Sequence, residues 1–192
     1  IEDGKTVFED IAKSTVPEIA PFVQSAENEV ADTDGLENPG DVIERELTIT
    51  VPPKADGTTE KVESKAILRL RREDQADDGT GMEGIALQRG TGMIVKYHSS
   101  KATNRLPYPI KGVLLAGEAR GTEDEDKALE EFLRASEPPA HDEWDHQTER
   151  LKADYRTRGR TKAISGIYDQ IDKIIGGLAP EIEEDTHEVP AF

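Results

Sequence analysis

The residues best suited to chemistry lie in one short stretch. Residues 137–146 read EPPAHDEWDH, and the candidate ligands in it are His141, Asp142, Glu143, Asp145 and His146. Imidazole and carboxylate groups bind metal ions, but this spacing is not a known zinc-helix pattern, and the site would need a third or fourth ligand from elsewhere. The alternative is that His141 or Asp142 caps the following helix and Trp144 packs against a sheet. We favour this alternative and predict no metal site.

The sequence offers no other self-contained catalytic group. It contains no cysteine, which excludes a thiol nucleophile, a disulfide and a zinc–thiolate site. No serine, histidine and acid combination is marked by a nucleophile elbow. The GKT at residues 4–6 lacks the glycine and strand that precede it in a phosphate loop, and Asp32, Asp34 and Glu37 lack the spacing of a calcium loop. We therefore predict no catalytic residue in this chain.

A second group of residues is basic. The cations concentrated between residues 150 and 162 are Arg150, Lys152, Arg156, Arg158, Arg160 and Lys162. The chain as a whole carries a net charge of -17, which opposes general binding to phosphate backbones. The basic cluster therefore has three interpretations: a solvated helix face, a docking patch for a polyanion or an acidic partner, or a contact to a nucleotide phosphate supplied by an adjoining domain.

Hydrophobic patterning predicts the strands that must position these residues. Apolar residues alternate with charged ones over residues 42–51 and again over 62–70, which predicts a hairpin whose outward acidic and basic rows favour pairing. Residues 85–97 predict a strand broken at 89–92 by a bulge or tight turn. The continuous apolar run within residues 110–116 is typical of a central strand that is covered on both faces.

Helices are predicted on either side of this sheet. An apolar stripe predicts an amphipathic helix to about Ser14, and a short helix over 124–136 begins after the cap Thr122. A long helix runs from about Gln147 to Leu178, and its glycines predict a break or hinge near RTRGRTK. The residues that form its apolar stripe, and so predict a core face or a helix–helix seam, are Ile164, Ile167, Tyr168, Ile171, Ile174, Ile175 and Leu178.

These elements predict an α+β fold. It has a mixed twisted sheet of about four to five strands, one short and one long C-terminal helix packed on it, and an N-terminal helical segment. The predicted regions are an N-terminal helical segment (1–26), an acidic linker (27–41), a β-rich core with a crossover helix (42–146), the long helix (147–180) and a tail (181–192).

The location and context of the chain can also be predicted. No stretch approaches the roughly 20 apolar residues of a membrane helix, and nothing indicates an oxidising compartment, so we expect a cytoplasmic protein without membrane contact. The sequence opens on IEDGK without an initiator methionine, which predicts a fragment of a longer protein.

The stretches QRGTGMIVKY, PIKGVLLAGE and LEEFLRASEPPAHDEWD carry a family resemblance. They are similar to the segment that follows the ATP-binding domain in bacterial GHKL-type ATPases, a histidine-kinase and chaperone-like group. The residues that match its Glu-Pro-Pro-x-His-x-x-Trp motif are Glu137, Pro138, Pro139, His141 and Trp144. The resemblance implies a β-α transducer-like domain that relays nucleotide state to a dimer or effector. Such domains often lend one lysine to the γ-phosphate, for which Lys101 and Lys162 are the candidates.

The resemblance does not supply the chemistry of ATP hydrolysis. The DDGTGM at residues 77–82 is similar to the adenine box of that group, but the buried strand directly before the aspartate and the upstream helix with glutamate and asparagine are missing. The resemblance therefore implies a non-catalytic transducer or scaffold region, without a cofactor of its own, in a parent protein that binds ATP and magnesium. The alternatives are a nucleic-acid-binding module that uses residues 150–162, and an adaptor that self-associates through the long helix.

Overall fold

The computed structural model describes residues 20–31, 35–74 and 84–180. No helix in these ranges combines the length and the apolar content that crossing a membrane requires. The predictions that lie outside the described residues are the helix before Ser14, the calcium-ligand candidates Asp32 and Asp34, the adenine-box-like loop 77–82 and the tail 181–192.

A five-stranded mixed sheet forms the centre of the fold. Its strands are β1 (Val42–Val51), β2 (Val62–Arg72), β3 (Gly84–Arg89), β4 (Met93–His98) and β5 (Ile110–Ala116). The strand order is β1-β2-β5-β3-β4, with β3 parallel to β5 and the other neighbours antiparallel. The α+β class, the mixed sheet and the central place of β5 are thus confirmed.

The hairpin of β1 and β2 pairs through charge as well as through backbone hydrogen bonds. Arg69 Nε donates to Glu44 Oε2 at 2.9 Å, and Lys65 Nζ lies 2.9 Å from Glu46 Oε1. Both pairs lie on the outward rows that the alternating pattern predicts. Because these cross-strand pairs are partly exposed, each contributes modestly, about 0.2–1 kcal/mol.

One helix precedes the strands in the described residues, and the others follow them. They are α1 (Ala20–Glu27), α2 (Asp124–Ala135), α3 (Glu149–Asp154) and α4 (Thr157–Gly176), with short 3-10 helices at Lys101–Arg105 and Gly117–Ala119. The extent of α2 agrees with the prediction for residues 124–136. Its cap is Glu123 rather than Thr122, because Glu123 and Asp126 form a reciprocal capping box that satisfies two amides at the helix start.

The predicted long helix is divided. Thr148, not His141 or Asp142, caps α3 by accepting a hydrogen bond from the Leu151 amide at 3.3 Å, so the capping prediction is wrong. The chain leaves helical geometry between α3 and α4 and again inside the first turn of α4, where Gly159 has a φ of 110°. This conformation is costly for residues with a side chain, so the glycine permits a kink. The predicted break near RTRGRTK is confirmed.

Helices cover both faces of the sheet. The first face carries α2, α3 and α4, and the core between them is apolar, with Leu68, Leu114 and Phe132 fully buried. The residues of the α4 stripe that lie in this core are Ile164, Ile167, Ile171 and Ile175, which confirms the core interpretation. The second face carries α1, whose Phe22 packs with Ala86 and Val113.

Candidate functional site

The chain turns from α2 into α3 through residues 137–144, here called the corner. Glu137 enters the interior at this point, and its side chain is 0% exposed. The guanidinium of Arg89, at the end of β3, donates from both Nε and Nη2 to the Glu137 carboxylate, with Nη2 2.6 Å from Oε2. His141 Nδ1 lies 2.8 Å from the same Oε2. Since an ionised carboxylate only accepts, the imidazole donates in this pair.

Arg89 also holds a second buried carboxylate. Its Nη1 donates to Glu130 Oε1 of α2 at 2.9 Å, and the Gly90 amide donates to Glu130 Oε2 at 2.9 Å. Gly117 packs against the same carboxylate, where an added Cβ would lie only 2.6 Å from Oε2. Arg89, Glu130, Glu137 and His141 are called the Arg89 network below, and together they join the β3–β4 turn, α2 and the corner.

The electrostatics of the network keep Arg89 and Glu137 ionised. The hydrogen bond to Glu137 raises the pKa of Arg89, and the charges of both carboxylates add to it against the cost of burial. Burial alone would raise the pKa of Glu137, but the hydrogen bonds from Arg89 and His141 outweigh burial and lower that pKa. A carboxylate so fully engaged is a poor proton carrier at neutral pH. The arrangement therefore positions elements rather than transferring protons.

Trp144 is the apolar anchor of the corner, as predicted. It is 3% exposed and belongs to the main core. Its indole Nε1 faces the Glu137 carboxylate but makes no hydrogen bond of ordinary geometry with the described residues. The hydroxyl of Tyr168 in α4 reaches the Trp144 carbonyl at 3.5 Å. The motif at 137–144 thus contacts both the sheet and α4.

The remaining candidate metal ligands of this stretch point elsewhere. Asp142 and Glu143 are exposed, and Glu143 lies 3.4 Å from Lys96 of β4. His146 pairs with its neighbour Asp145 at 3.7 Å. Within residues 20–31, 35–74 and 84–180, no three histidine or carboxylate side chains are arranged to hold a metal ion.

The basic cluster does not form one continuous charged face. Arg150 pairs with Asp154 at 3.6 Å, and Lys152 pairs with Glu149 at 3.0 Å. Arg160 is buried, and its Nη1 donates to the Leu151 carbonyl at 3.3 Å. The exposed cations that remain are Arg156, Arg158 and Lys162. The cluster is divided because the kink between α3 and α4 separates its members.

The two candidate phosphate-contacting lysines are not brought together. Lys101 opens a 3-10 helix beside Ser100, which bonds Asp172 of α4. Lys162 lies on α4 closer to its start, and at 1.5 Å per residue it is roughly 15 Å along the helix from Asp172. The two lysines therefore lie at different levels along α4.

The fold assembles one set of catalytic residue types that sequence reasoning missed. Ser100 Oγ donates to Asp172 Oδ1 at 2.5 Å, and His98 Nε2 lies 3.8 Å from the same oxygen. The serine bonds the acid rather than the histidine, so the three groups are not connected in the order of a serine–histidine–acid triad. Its hydroxyl also accepts from the Ala102 amide at 3.1 Å as a helix cap. Burial lowers the pKa of His98, and the set joins the end of β4 to α4.

Arg89 and Glu130 were also missed as site residues. The available signal was weak: Glu130 follows Leu129 on the buried side of the α2 stripe, where an unpaired carboxylate would be costly. A carboxylate at such a position needs a cationic partner, but the neighbouring residues in the sequence do not identify that partner. The pairs from Arg89 join residues 41 and 48 positions apart.

Comparisons with known proteins add no relative to this description. No protein-family model matches the chain, and neither the curated proteins nor the solved structures contain a match.

Proposed function

We propose that this chain is a non-catalytic transducer or scaffold region of a larger bacterial GHKL-type ATPase, and that it couples nucleotide state to assembly or to partner binding. In the proposed parent protein, an ATP-binding domain holds ATP and magnesium in the cytoplasm. Lys101 or Lys162 is the candidate contact to the γ-phosphate. The chain itself supplies no reacting group in this proposal.

The observation that carries the proposal is the Arg89 network. Arg89 stands at the end of β3, next to the central strand, while its two carboxylate partners stand on α2 and in the corner. A shift of the β3–β4 turn that left the corner behind would break buried ion pairs, at a cost of about 3–5 kcal/mol. The turn and the corner are therefore expected to move as one unit.

The corner passes such a movement to the C-terminal helices. Thr148 Oγ1 donates to the Ala135 carbonyl at 2.7 Å, which ties the start of α3 to the end of α2. Beyond α3, the non-helical residues Arg158 and Gly159 allow α4 to take a different direction. Rigid coupling up to a glycine kink suits a relay, because hinges form where a few residues absorb backbone rotation.

The first test is ATP turnover and ATP binding by the chain alone and by the parent protein. We expect turnover only in the parent protein. Robust hydrolysis by the chain alone would overturn the proposal, because a transducer region has no complete adenine and magnesium site.

The second test addresses coupling. In the parent protein, Arg89→Met is expected to leave ATP binding intact and to weaken nucleotide-dependent assembly or partner binding. The control is Arg134→Met, which removes an exposed arginine from α2. Equal coupling in Arg89→Met and wild type would contradict the proposed relay.

A further inference from the structure

The outer edge of β1 carries a backbone arrangement that the proposed function does not use, although Lys162 beside it is one of the candidate phosphate contacts. β1 is the first strand of the sheet, with β2 as its strand neighbour. The Thr48 amide donates to Gln170 Oε1 of α4 at 3.1 Å, and Gln170 Nε2 donates to the Thr48 carbonyl at 3.0 Å. Thr48 therefore directs its backbone groups away from β2. Since alternate residues of a strand face the same edge, the backbone groups of Glu46 and Thr50 lie along this outer edge too.

Gln170 occupies the position that an added strand would take. Its side-chain amide offers one donor and one acceptor to a single residue of β1, which is the pattern a peptide unit makes in a sheet. Among the described residues, the carboxamide is held further only by a hydrogen bond from Nε2 to the Gly166 carbonyl at 3.0 Å. A peptide backbone can replace these bonds with equivalent ones, so displacement of Gln170 costs little.

Two cavities flank Gln170 and extend the edge into a groove against α4. One, of about 330 Å³, lies between residues 48–50 and residues 162–173 of α4. The other, of about 390 Å³, lies between residues 45–46 and the C-terminal end of α4, with Ile174 and Leu178 in its wall. The outer edge of β1 and these two cavities are together called the edge groove below. A strand edge beside side-chain pockets is the arrangement by which proteins bind extended peptides.

The exposed charges of the edge groove indicate which side chains a partner should carry. Lys162 and Lys173 are exposed, line the groove and form no ion pair in the described part of the chain. The β1 carboxylates Glu44 and Glu46 are already paired with Arg69 and Lys65. Asp169 also lines the first cavity, so acidic side chains are favoured at the lysine positions rather than along the whole groove.

We infer that the edge groove binds an extended, acidic peptide segment of a partner protein, which adds to β1 as a further strand and displaces Gln170. Main-chain hydrogen bonds to Glu46, Thr48 and Thr50 supply affinity, and carboxylates near Lys162 and Lys173 supply specificity. A second copy of β1 suits the groove poorly, because it would bring its own glutamate row against Glu44 and Glu46. The inference stands on the sheet edge and does not depend on the proposed transducer function.

The test uses fluorescence anisotropy with a labelled peptide that alternates glutamate with valine, and a lysine–valine peptide as the charge control. The acidic peptide is expected to bind the whole chain and the lysine peptide is not. Gln170→Ala is expected to tighten binding by roughly fivefold, since it removes the competing amide. Lys162→Glu with Lys173→Glu should weaken binding at least tenfold, whereas Lys61→Glu with Lys127→Glu should leave it unchanged.

Thr50→Pro tests the backbone itself. Proline is tolerated where a strand amide faces the outer edge, so the variant should fold but lose the added strand. Amide hydrogen exchange gives a second measure that needs no variant, because peptide binding should protect the Glu46 and Thr50 amides. Equal binding of both peptides, no binding, or unprotected edge amides would each overturn the inference. So would sedimentation that shows a dimer sensitive to Thr50→Pro, since a second copy would then occupy the edge.

Discussion

At the scale of single residues, Arg89 is the described cation that pairs with two buried carboxylates. One guanidinium serves two buried carboxylates, and both of them also depend on neighbouring donors. A buried pair contributes little net stability against an apolar replacement, but the loss of one partner leaves the others uncompensated. The network therefore makes the β3–β4 turn and the corner depend on each other.

Replacement of this arginine should be severely destabilising. Arg89→Met is expected to lower the free energy of unfolding by about 3–5 kcal/mol, because Glu130 and Glu137 would remain buried without their cation. Urea denaturation followed by circular dichroism measures this change. The matched control Arg134→Met should change stability by less than about 0.5 kcal/mol, since Arg134 is exposed. Similar losses of unfolding free energy in both variants would show that Arg89 stabilises the protein no more than the exposed Arg134 does.

Glu137 should give the protein a defined acid sensitivity. Its folded pKa is lowered from the ordinary value of 4.5, so its ionic contribution is fully present above that value and is lost as the pH falls through the folded pKa. The stability gap between wild type and Glu137→Gln should therefore be largest at neutral pH and narrow below about pH 4.5. Urea titrations at several pH values measure the gap, with the exposed Glu60→Gln as control. A gap that stays constant down to pH 2 would contradict this assignment.

The sequence identified some of these residues but not their partners. Trp144 was predicted to pack against a sheet, and it lies buried in the main core. The cation opposite Glu137 could not be predicted, because Arg89 approaches it only through the pairing of β3 with β5 and the packing of α2. Charge pairing across such distances is decided by tertiary structure, while spacing reports only local geometry.

At the scale of elements, the kink between α3 and α4 is the feature that sets the direction of the C-terminal helix. It lies where the chain returns to the β1–β2 connection: the Arg156 amide donates to the Pro53 carbonyl at 3.1 Å, and the Ala55 amide donates to the Asp154 carbonyl at 2.9 Å. A continuous helix could not make these backbone bonds. At the kink, backbone hydrogen bonds to the β1–β2 connection thus replace those of a continuous helix.

Two glycines of α4 should respond in opposite directions to the same substitution. Gly159→Ala is expected to cost about 1–2 kcal/mol, because an alanine at a φ of 110° is strained. Gly166→Ala should stabilise by up to about 1 kcal/mol, because the position is helical and nothing lies within 4 Å of the added Cβ. Thermal unfolding of both variants checks this. Equal shifts for the two substitutions would contradict the kinked geometry.

At the scale of the whole molecule, α4 uses its apolar stripe to complete its own core. Ile167, Ile171 and Ile175 are each 0% exposed against the sheet. The surface through which an adaptor would self-associate along this stripe is therefore already covered. The acidic surface and the internal ion pairs of the basic cluster likewise leave few cations for nucleic acid.

Truncation of the stripe should accordingly affect folding and not assembly. Ile171→Ala is expected to cost about 2–5 kcal/mol, whereas Ile174→Ala, at a partly exposed position, should cost less. Sedimentation at several concentrations should give the same mass for wild type and both variants. A dimer that Ile171→Ala dissociates without loss of stability would restore the adaptor interpretation.

The overall architecture was largely predictable, for physical reasons that differ between elements. The alternation in β1 and β2 is the pattern of a half-buried strand, in which only every second side chain faces the core. The continuous apolar run of β5 is the pattern of a strand that is covered on both faces. The split between α3 and α4 was predictable only as a weak point at Gly159. The residue at which the split begins was not predictable, because the backbone bonds to Pro53 and Ala55 that replace helical bonds come from the β1–β2 connection, about 100 residues earlier in the sequence.

The central position of β5 has a consequence for the order of folding. β1 with β2 and β3 with β4 are hairpins of neighbouring segments, whereas β5 pairs with one strand of each. Local pairs close at a lower entropic cost than distant ones, so we expect the hairpins to form first and β5 to unite them late. Leu114→Ala in β5 should therefore accelerate unfolding more than it slows refolding, as stopped-flow kinetics can measure. Equal or greater slowing of refolding would place β5 in the folding nucleus instead.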